Sequence, residues 1–352
     1  MFVTGIGTAV PSTRYTKTQC WEAFRRSVWY EQLDARAVLL IRAVLQRENG
    51  MEARRLALDS LAEVFHIDPD TLQQRFAAAA PVLAAQAAQR ALQDAALTAG
   101  QIDAVIVSTC TGYLCPGLSG HVAERLGLPA AVLAYDLVGQ GCGAALPNMR
   151  LGQALLGSQQ CRHVLSVCVE VASAAMYLDN DPGVLISACL FGDGAGAAVL
   201  SGQRSAQRRP VHWRDSESLL DTSTREALRF ERRAGMLRNI LTRAVPALAA
   251  DYVKRVLDAV LGRTGLQPAQ ISAWILHAGG RDVLQSLGQR LGLEPMDLRY
   301  SAATLREYGN LSSAFVYFVL QAALADAAPG GWWWLSSFGA GFSCHGALLE
   351  VA

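Results

Sequence analysis

The chain has 352 residues, of which 51% are hydrophobic and 17% charged, and its formal net charge is +1. With neither an acidic nor a basic excess, and no interleaving of arginine with aromatic residues, nucleic acid is not expected as a partner. Its runs of Ala, Leu and Val fall short of the roughly 18 uninterrupted apolar residues of a membrane span, so no membrane is expected either.

Met1 to Thr8 reads as a first strand and turn, without the basic start and long apolar stretch of a signal peptide. The eight cysteines (Cys20, Cys110, Cys115, Cys142, Cys161, Cys168, Cys189 and Cys344) form no CxxC pair, and several lie in apolar runs. They read as reduced, mostly buried thiols, which points to a cytoplasmic protein. No cluster has metal-ligand spacing, so no metal is expected. Residues 17–99 carry apolar positions three and four apart and read as mainly helical, with a helix start at Asp68-Pro69-Asp70. Strands are expected at 102–109 and 131–138 around a helix at 118–127, then a helix at 141–157 and strands at 163–169 and 191–200. Residues 202–234 crowd Arg, Ser, Asp and Glu around Trp213 and read as an exposed connection carrying a hairpin. Beyond it come helices at 236–263, 281–291 and 310–327 and strands at 271–276, 332–337 and 342–350.

The later part echoes the earlier one. Ile102-Asp-Ala-Val-Ile-Val107 returns as Ile271-Ser-Ala-Trp-Ile-Leu276, and Arg125-Leu-Gly-Leu128 as Arg290-Leu-Gly-Leu293. Gly141-Cys142 is answered by Gly309-Asn310, and Phe191-Gly-Asp-Gly194 by Phe338-Gly-Ala-Gly341. Strands alternating with helices predict an α/β protein with a mainly parallel sheet. The duplication predicts a five-layered αβαβα sandwich with one helix of each copy in the middle. The halves are assigned to residues 1–201 and 236–352, joined by 202–235.

Cys142 is the candidate nucleophile: glycines on both sides permit a sharp turn, and a helix start beside it is expected to lower the thiol pKa. His277, on a glycine turn after its strand, is expected to hold the sulfur ionised as an imidazolium and to donate to a developing oxyanion. Asn310, at the Cys142 position of the second copy, reads either as a helix cap or as an amide aimed at the same carbonyl. A neutral amide and an imidazole without a nearby carboxylate suit enolate stabilisation better than hydrolysis. A cysteine protease is a competing reading, but Asn310 does not stand where it would orient the histidine.

These residues resemble the type III polyketide synthases, the chalcone synthase-like branch of the thiolase superfamily. The likeness covers nearly the whole chain and rests on Gly-Gln-Gly-Cys142-Gly, Trp274-Ile-Leu-His277-Ala-Gly-Gly, Glu307-Tyr-Gly-Asn310-Leu-Ser-Ser, Leu190-Phe191-Gly-Asp-Gly-Ala and Phe338-Gly-Ala-Gly. It implies a thiolase-like fold and iterative decarboxylative Claisen condensation: Cys142 takes an acyl group from a CoA thioester, and His277 and Asn310 stabilise the malonyl-CoA enolate. It further implies Phe191 as a gatekeeping aromatic, Cys110, Thr111 and Ser312 as cavity lining, and Arg54 as a cationic contact to CoA phosphates. Acyl-CoA and malonyl-CoA are then substrates, with no further cofactor, a homodimer, and acyl carrier protein as an alternative donor. Cys115-Pro116 matches the family's cis-proline loop, whose preceding side chain enters the partner subunit.

Some positions depart from the family pattern. Where a second gatekeeping Phe is usual, the run is Gly235-Met-Leu-Arg238-Asn239, placing Arg238 at the tunnel mouth. Ala172 and Ala175 replace frequent threonines, which predicts a larger or differently shaped starter cavity. The rivals are a ketoacyl-acyl carrier protein synthase of the third type, disfavoured by His277-Ala-Gly-Gly in place of His-Gln-Ala-Asn, and a non-catalytic protein of the same fold.

Overall fold

The structure is a computed structural model that describes residues 1–206 and 208–352. Its first half begins with strand β1 (Phe2–Ala9), strand β2 (Arg14–Thr16), helices α1 (Lys17–Arg25), α2 (Trp29–Gln32) and α3 (Ala35–Gln46), strand β3 (Ala53–Arg55) and the long helix α4 (Pro69–Ala95). The Asp68 side chain accepts from the Thr71 amide and Pro69 opens the first turn, so the start signal read from the sequence caps α4. Strand β4 (Ala104–Ser108), helix α5 (Leu118–Leu126), strand β5 (Leu133–Leu137), helix α6 (Ala145–Gly157), strand β6 (His163–Glu170), helix α7 (Pro182–Leu190) and strand β7 (Gly194–Ser201) follow.

The second half comprises strands β8 (Val211–Leu220), β9 (Leu228–Arg233) and β10 (Met236–Leu241), helix α8 (Val245–Thr264), strand β11 (Ile271–Leu276), helices α9 (Arg281–Leu291), α10 (Arg299–Tyr308) and α11 (Phe315–Ala325), and strands β12 (Gly331–Gly339) and β13 (Ser343–Val351). Nine strands form one sheet in the order β11-β12-β13-β8-β1-β7-β6-β4-β5. The two halves meet where β1 pairs with β8 through only Phe2–His212 and Val3–Val211.

Helices α4 and α5 pack on the strands of the first half, and α8, with α9 against it, packs on β8, β12 and β13. Helices α6 and α11 touch strands of both halves. The layers therefore run α, β, α, β, α, with one helix of each copy in the centre. Phe315 to Leu320 of α11 are all buried, the signature of a helix covered on every side.

Three expectations are corrected. The sheet is mixed: only β4–β5, β4–β6 and β11–β12 are parallel. Chain-adjacent strands such as β12 and β13, joined by a short turn, can only run antiparallel. The segment 202–235 is no exposed tether, because β8 is interior to the sheet and Trp213 is 2% exposed. Its polar character misled because Asp215 and Glu217 reach Arg263 on α8. Finally, no helix begins at 236; β9 and β10 form a hairpin that turns at Gly235, where φ is +80°, and α8 starts only at Val245. Helices α7 and α10 had no expected counterpart.

Candidate active site

The duplicated motifs meet across the pseudo-twofold. Cys142 sits on a 3-10 turn, Gly141–Gly143, between β5 and α6. The end of β12 lies against this turn so closely that a Cβ on Gly339 would fall 2.4 Å from the Gln140 carbonyl oxygen. In the mirrored contact Phe191 bridges Asn310, and a Cβ on Gly309 would fall 2.5 Å from the Leu190 oxygen. Glycine at both places lets each copy's loop touch the other's.

Asn310 is buried and held at both ends: its Oδ1 accepts from the Ser312 amide at 2.8 Å, and its Nδ2 donates to the Gly279 carbonyl at 3.1 Å. These bonds fix the amide's orientation and leave one Nδ2 hydrogen for a ligand. Ser312, with φ +51°, donates its hydroxyl to the Cys142 sulfur at 3.2 Å and shares a 3.3 Å hydrogen bond with the Cys110 sulfur. His277 is buried between the edges of Phe315 and Phe338, and neither ring nitrogen has a protein partner. Cys142, His277, Asn310, Phe191 and Phe338 all line one outer cavity of about 640 Å³. The structure thus brings the expected three residues to one site. Both imidazole nitrogens can therefore hydrogen-bond a ligand that enters the cavity.

The electrostatics differ from the expected ion pair. Burial pushes the Cys142 thiol up to about 12, with the charge of Glu170 adding to the rise and the Ser312 hydrogen bond opposing it. Burial lowers His277 to about 3. At neutral pH the resting pair is therefore a thiol and a neutral imidazole, because desolvation penalises both charged forms and outweighs the short turn's dipole. Alkylation tests this. Inactivation by iodoacetamide is expected to speed up about tenfold per pH unit from neutrality to near the thiol pKa of about 12. A plateau already reached near neutrality would show a preformed thiolate.

Glu170 is a feature that the reading of the sequence did not include. It is fully buried at the end of β6 and accepts from the Cys110 amide at 3.1 Å, the Thr111 hydroxyl at 3.0 Å and the Ser313 hydroxyl, and it competes at 3.3 Å with the Cys142 sulfur for the single Ser312 hydroxyl proton. Burial raises its pKa against these bonds. The signal was present: one acidic residue closing the apolar run His163-Val-Leu-Ser-Val-Cys-Val. The expectation that no carboxylate lies near the site is corrected accordingly.

Behind Phe191 lies a middle chamber lined by Cys110, Thr111, Ala172, Ala175 and Asn239, with a volume of about 30 Å³. The chamber is small although Ala172 and Ala175 line it; Met176, Tyr177 and Phe230 complete its walls. Arg54 does not face CoA. The residue is 5% exposed, and its guanidinium donates to the carbonyls of Ala188 and Phe191 at 2.6 and 3.0 Å, tethering the gate aromatic. Arg238 is likewise turned away from the cavities, paired with Asp179 at 2.7 Å, Glu231 at 2.9 Å and Asp181 at 3.4 Å. Strand alternation presents its neighbour Asn239 to the middle chamber instead. The cations on the outer cavity are the exposed Arg47, Arg243 and Arg281, scattered over three segments and without a motif.

Among the described residues no group of His, Cys, Asp and Glu is arranged to hold a metal ion, and no helix is long and apolar enough to cross a membrane. A family profile described as "FAE1/Type III polyketide synthase-like protein" matches residues 11–264, and one for the C-terminal domain of chalcone and stilbene synthases matches 220–350. The chain is 32% identical to a 1,3,6,8-tetrahydroxynaphthalene synthase of Streptomyces peucetius subsp. caesius, over 99% of this chain and 92% of that protein. It is 28% identical to a 3,5-dihydroxyphenylacetyl-CoA synthase of Amycolatopsis orientalis, over 98% and 92%. The crystal structure of the 1,3,6,8-tetrahydroxynaphthalene synthase from Streptomyces coelicolor A3(2), a bacterial type III polyketide synthase, superposes with a TM-score of 0.88 at 26% identity over 100% and 99% of the two chains. The chain belongs to the type III polyketide synthase family of condensing enzymes.

Proposed function

We propose that this protein extends an acyl group held on Cys142 by iterative decarboxylative condensation with malonyl-CoA, and that the product closes to a hydroxylated aromatic ring or a pyrone. One observation carries the reading: Cys142, His277 and Asn310 line one cavity, and Ser312 links the nucleophile to the oriented amide. Both curated relatives are named for hydroxylated aromatic products, in keeping with this chemistry.

The Cys142 sulfur attacks the starter thioester, and coenzyme A leaves as the thiol, taking up the proton that Cys142 gives up. The malonyl thioester oxygen then sits between a His277 N–H and the open Asn310 Nδ2 hydrogen. Carbon dioxide departs, and its electron pair becomes an enolate held by the two buried neutral donors. The enolate carbon attacks the acyl carbonyl, Cys142 leaves, and the lengthened thioester returns to Cys142 for another round.

The outer cavity supports CoA thioesters as donors, because Arg47, Arg243 and Arg281 offer cations for phosphate while Phe191 and Phe338 face the acyl end. A homodimer is supported by β5, an edge strand that leaves Leu133 37% and Tyr135 38% exposed, next to Tyr113 at 63%. Sedimentation of a monomer at micromolar concentration would remove that part. The function itself is tested by incubation with malonyl-CoA and a panel of acyl-CoA starters, with products read by mass spectrometry. Polyketides longer than one extension are expected. A single extension, accepted only from acyl carrier protein, would contradict the reading.

A further inference from the structure

Asn239 is a buried polar side chain for which the condensation has no use. It is 9% exposed and lines the middle chamber together with Cys110 and Phe191. Its amide has a defined orientation. The Ser187 hydroxyl donates to the Gly183 carbonyl at 3.0 Å, so its oxygen is left to accept from Asn239, whose Nδ2 stands 3.1 Å away. Asn239 Oδ1 then has no partner, and among the described residues it is the only buried side-chain acceptor of the chamber in that state. A buried acceptor without a donor is costly, and a ligand that brings one recovers the loss. The other unpartnered buried atom on a lining residue, Arg54 Nε, is a donor and does not compete for a ligand's proton.

The chamber adjoins the nucleophile. Cys110 forms part of its wall, and the Cys110 sulfur shares the Ser312 hydroxyl with the Cys142 sulfur, at 3.3 and 3.2 Å. At about 30 Å³ it admits a group the size of roughly two waters, too little for a phenol ring. An ammonium group finds no free counter-charge, because the carboxylates behind the walls, Glu170 and Asp193, already accept from Thr111 and Ser173. A carboxylate would meet the Oδ1 lone pairs. What remains is a neutral donor on a short chain, a hydroxyl.

We propose that Asn239 is a specificity-determining residue, its Oδ1 accepting a hydrogen bond from a hydroxyl on a short acyl group carried by Cys142. This rests on the condensing activity proposed above and names a substrate class for it: small, uncharged hydroxyacyl starters, preferred over alkyl starters of the same size.

The test uses 3-hydroxypropionyl-CoA and butyryl-CoA as starters, which differ only by a hydroxyl in place of a methyl group, with malonyl-CoA as extender. The ratio of their kcat/KM values, hydroxyacyl over alkyl, is expected to exceed one in the wild type. Asn239→Leu, which keeps the size and removes the acceptor, is expected to lower the ratio about tenfold. Asn239→Ala moves it in the same direction and serves if the leucine variant does not fold. A purely structural role for Asn239 would slow both starters together and leave the ratio where it was. A wild-type ratio of one or below, or a ratio that neither variant changes, would overturn the proposal. Wild-type decarboxylation of malonyl-CoA without starter is followed in parallel. Its absence would count against the condensing activity, whereas its presence with an unchanged ratio counts against the role of Asn239 alone.

Discussion

Replacing Cys142 with alanine is expected to lower condensation by roughly 10⁴-fold or more, the scale of loss when a residue carrying the covalent intermediate is removed. The same variant is expected to keep decarboxylating malonyl-CoA, because that step needs only the donors His277 and Asn310. Release of carbon dioxide and formation of product, measured side by side, should therefore separate. If both vanish together, the thiol takes part in forming the enolate. If acyl loading persists, the nucleophile lies elsewhere, and Cys110, which shares the Ser312 hydroxyl with Cys142, becomes the residue to examine.

Removal of either neutral donor should give the complementary pattern. Asn310→Asp keeps an oxygen that can accept from the Ser312 amide but loses the Nδ2 hydrogen and adds charge where the enolate forms. Decarboxylation is expected to fall roughly 10²–10³-fold, the usual cost of one oxyanion donor, with acyl transfer to Cys142 less affected. His277→Ala should lose decarboxylation to a similar degree. With its pKa lowered to about 3 by burial, His277 stays neutral across the working range. Wild-type decarboxylation should accordingly show no fall attributable to this histidine between pH 5 and 8. A loss of activity centred near pH 6.5 would mean that the ring titrates normally and that the pocket is wetter than its walls suggest.

The layering and the meeting of the two copies were legible in the letters because the duplication repeats whole motifs in order. The reactive cysteine and asparagine stand at equivalent turns, and equivalent turns in a pseudo-twofold sandwich face each other. Strand direction was less legible, since β6 and β7 are both apolar enough to be buried, and burial does not report orientation. Helix α7 went unread although Asp181-Pro182 is a capping signal, because its nine residues lack a polar face. At the site, the three central residues carry motifs, whereas Glu170 and the arginines of the outer cavity stand in none. Arg54 and Arg238 show the opposite error. A cation near the expected place was assigned to a substrate, but burial turned Arg54 onto backbone carbonyls and three carboxylates claimed Arg238. The ionisation of Cys142 was misjudged for a related reason: sequence shows the helix start but not how much water the fold removes.

The central claim is that Cys142 carries the growing chain, and trapping that chain tests it most directly. The enzyme is mixed with isotopically labelled hexanoyl-CoA, quenched in acid and digested, and the peptides are analysed by mass spectrometry. The account predicts a hexanoyl mass on the peptide containing Cys142, which malonyl-CoA then lengthens by two-carbon units. Labelled product formed without any acyl group on Cys142, or with the label on Cys110, would contradict it.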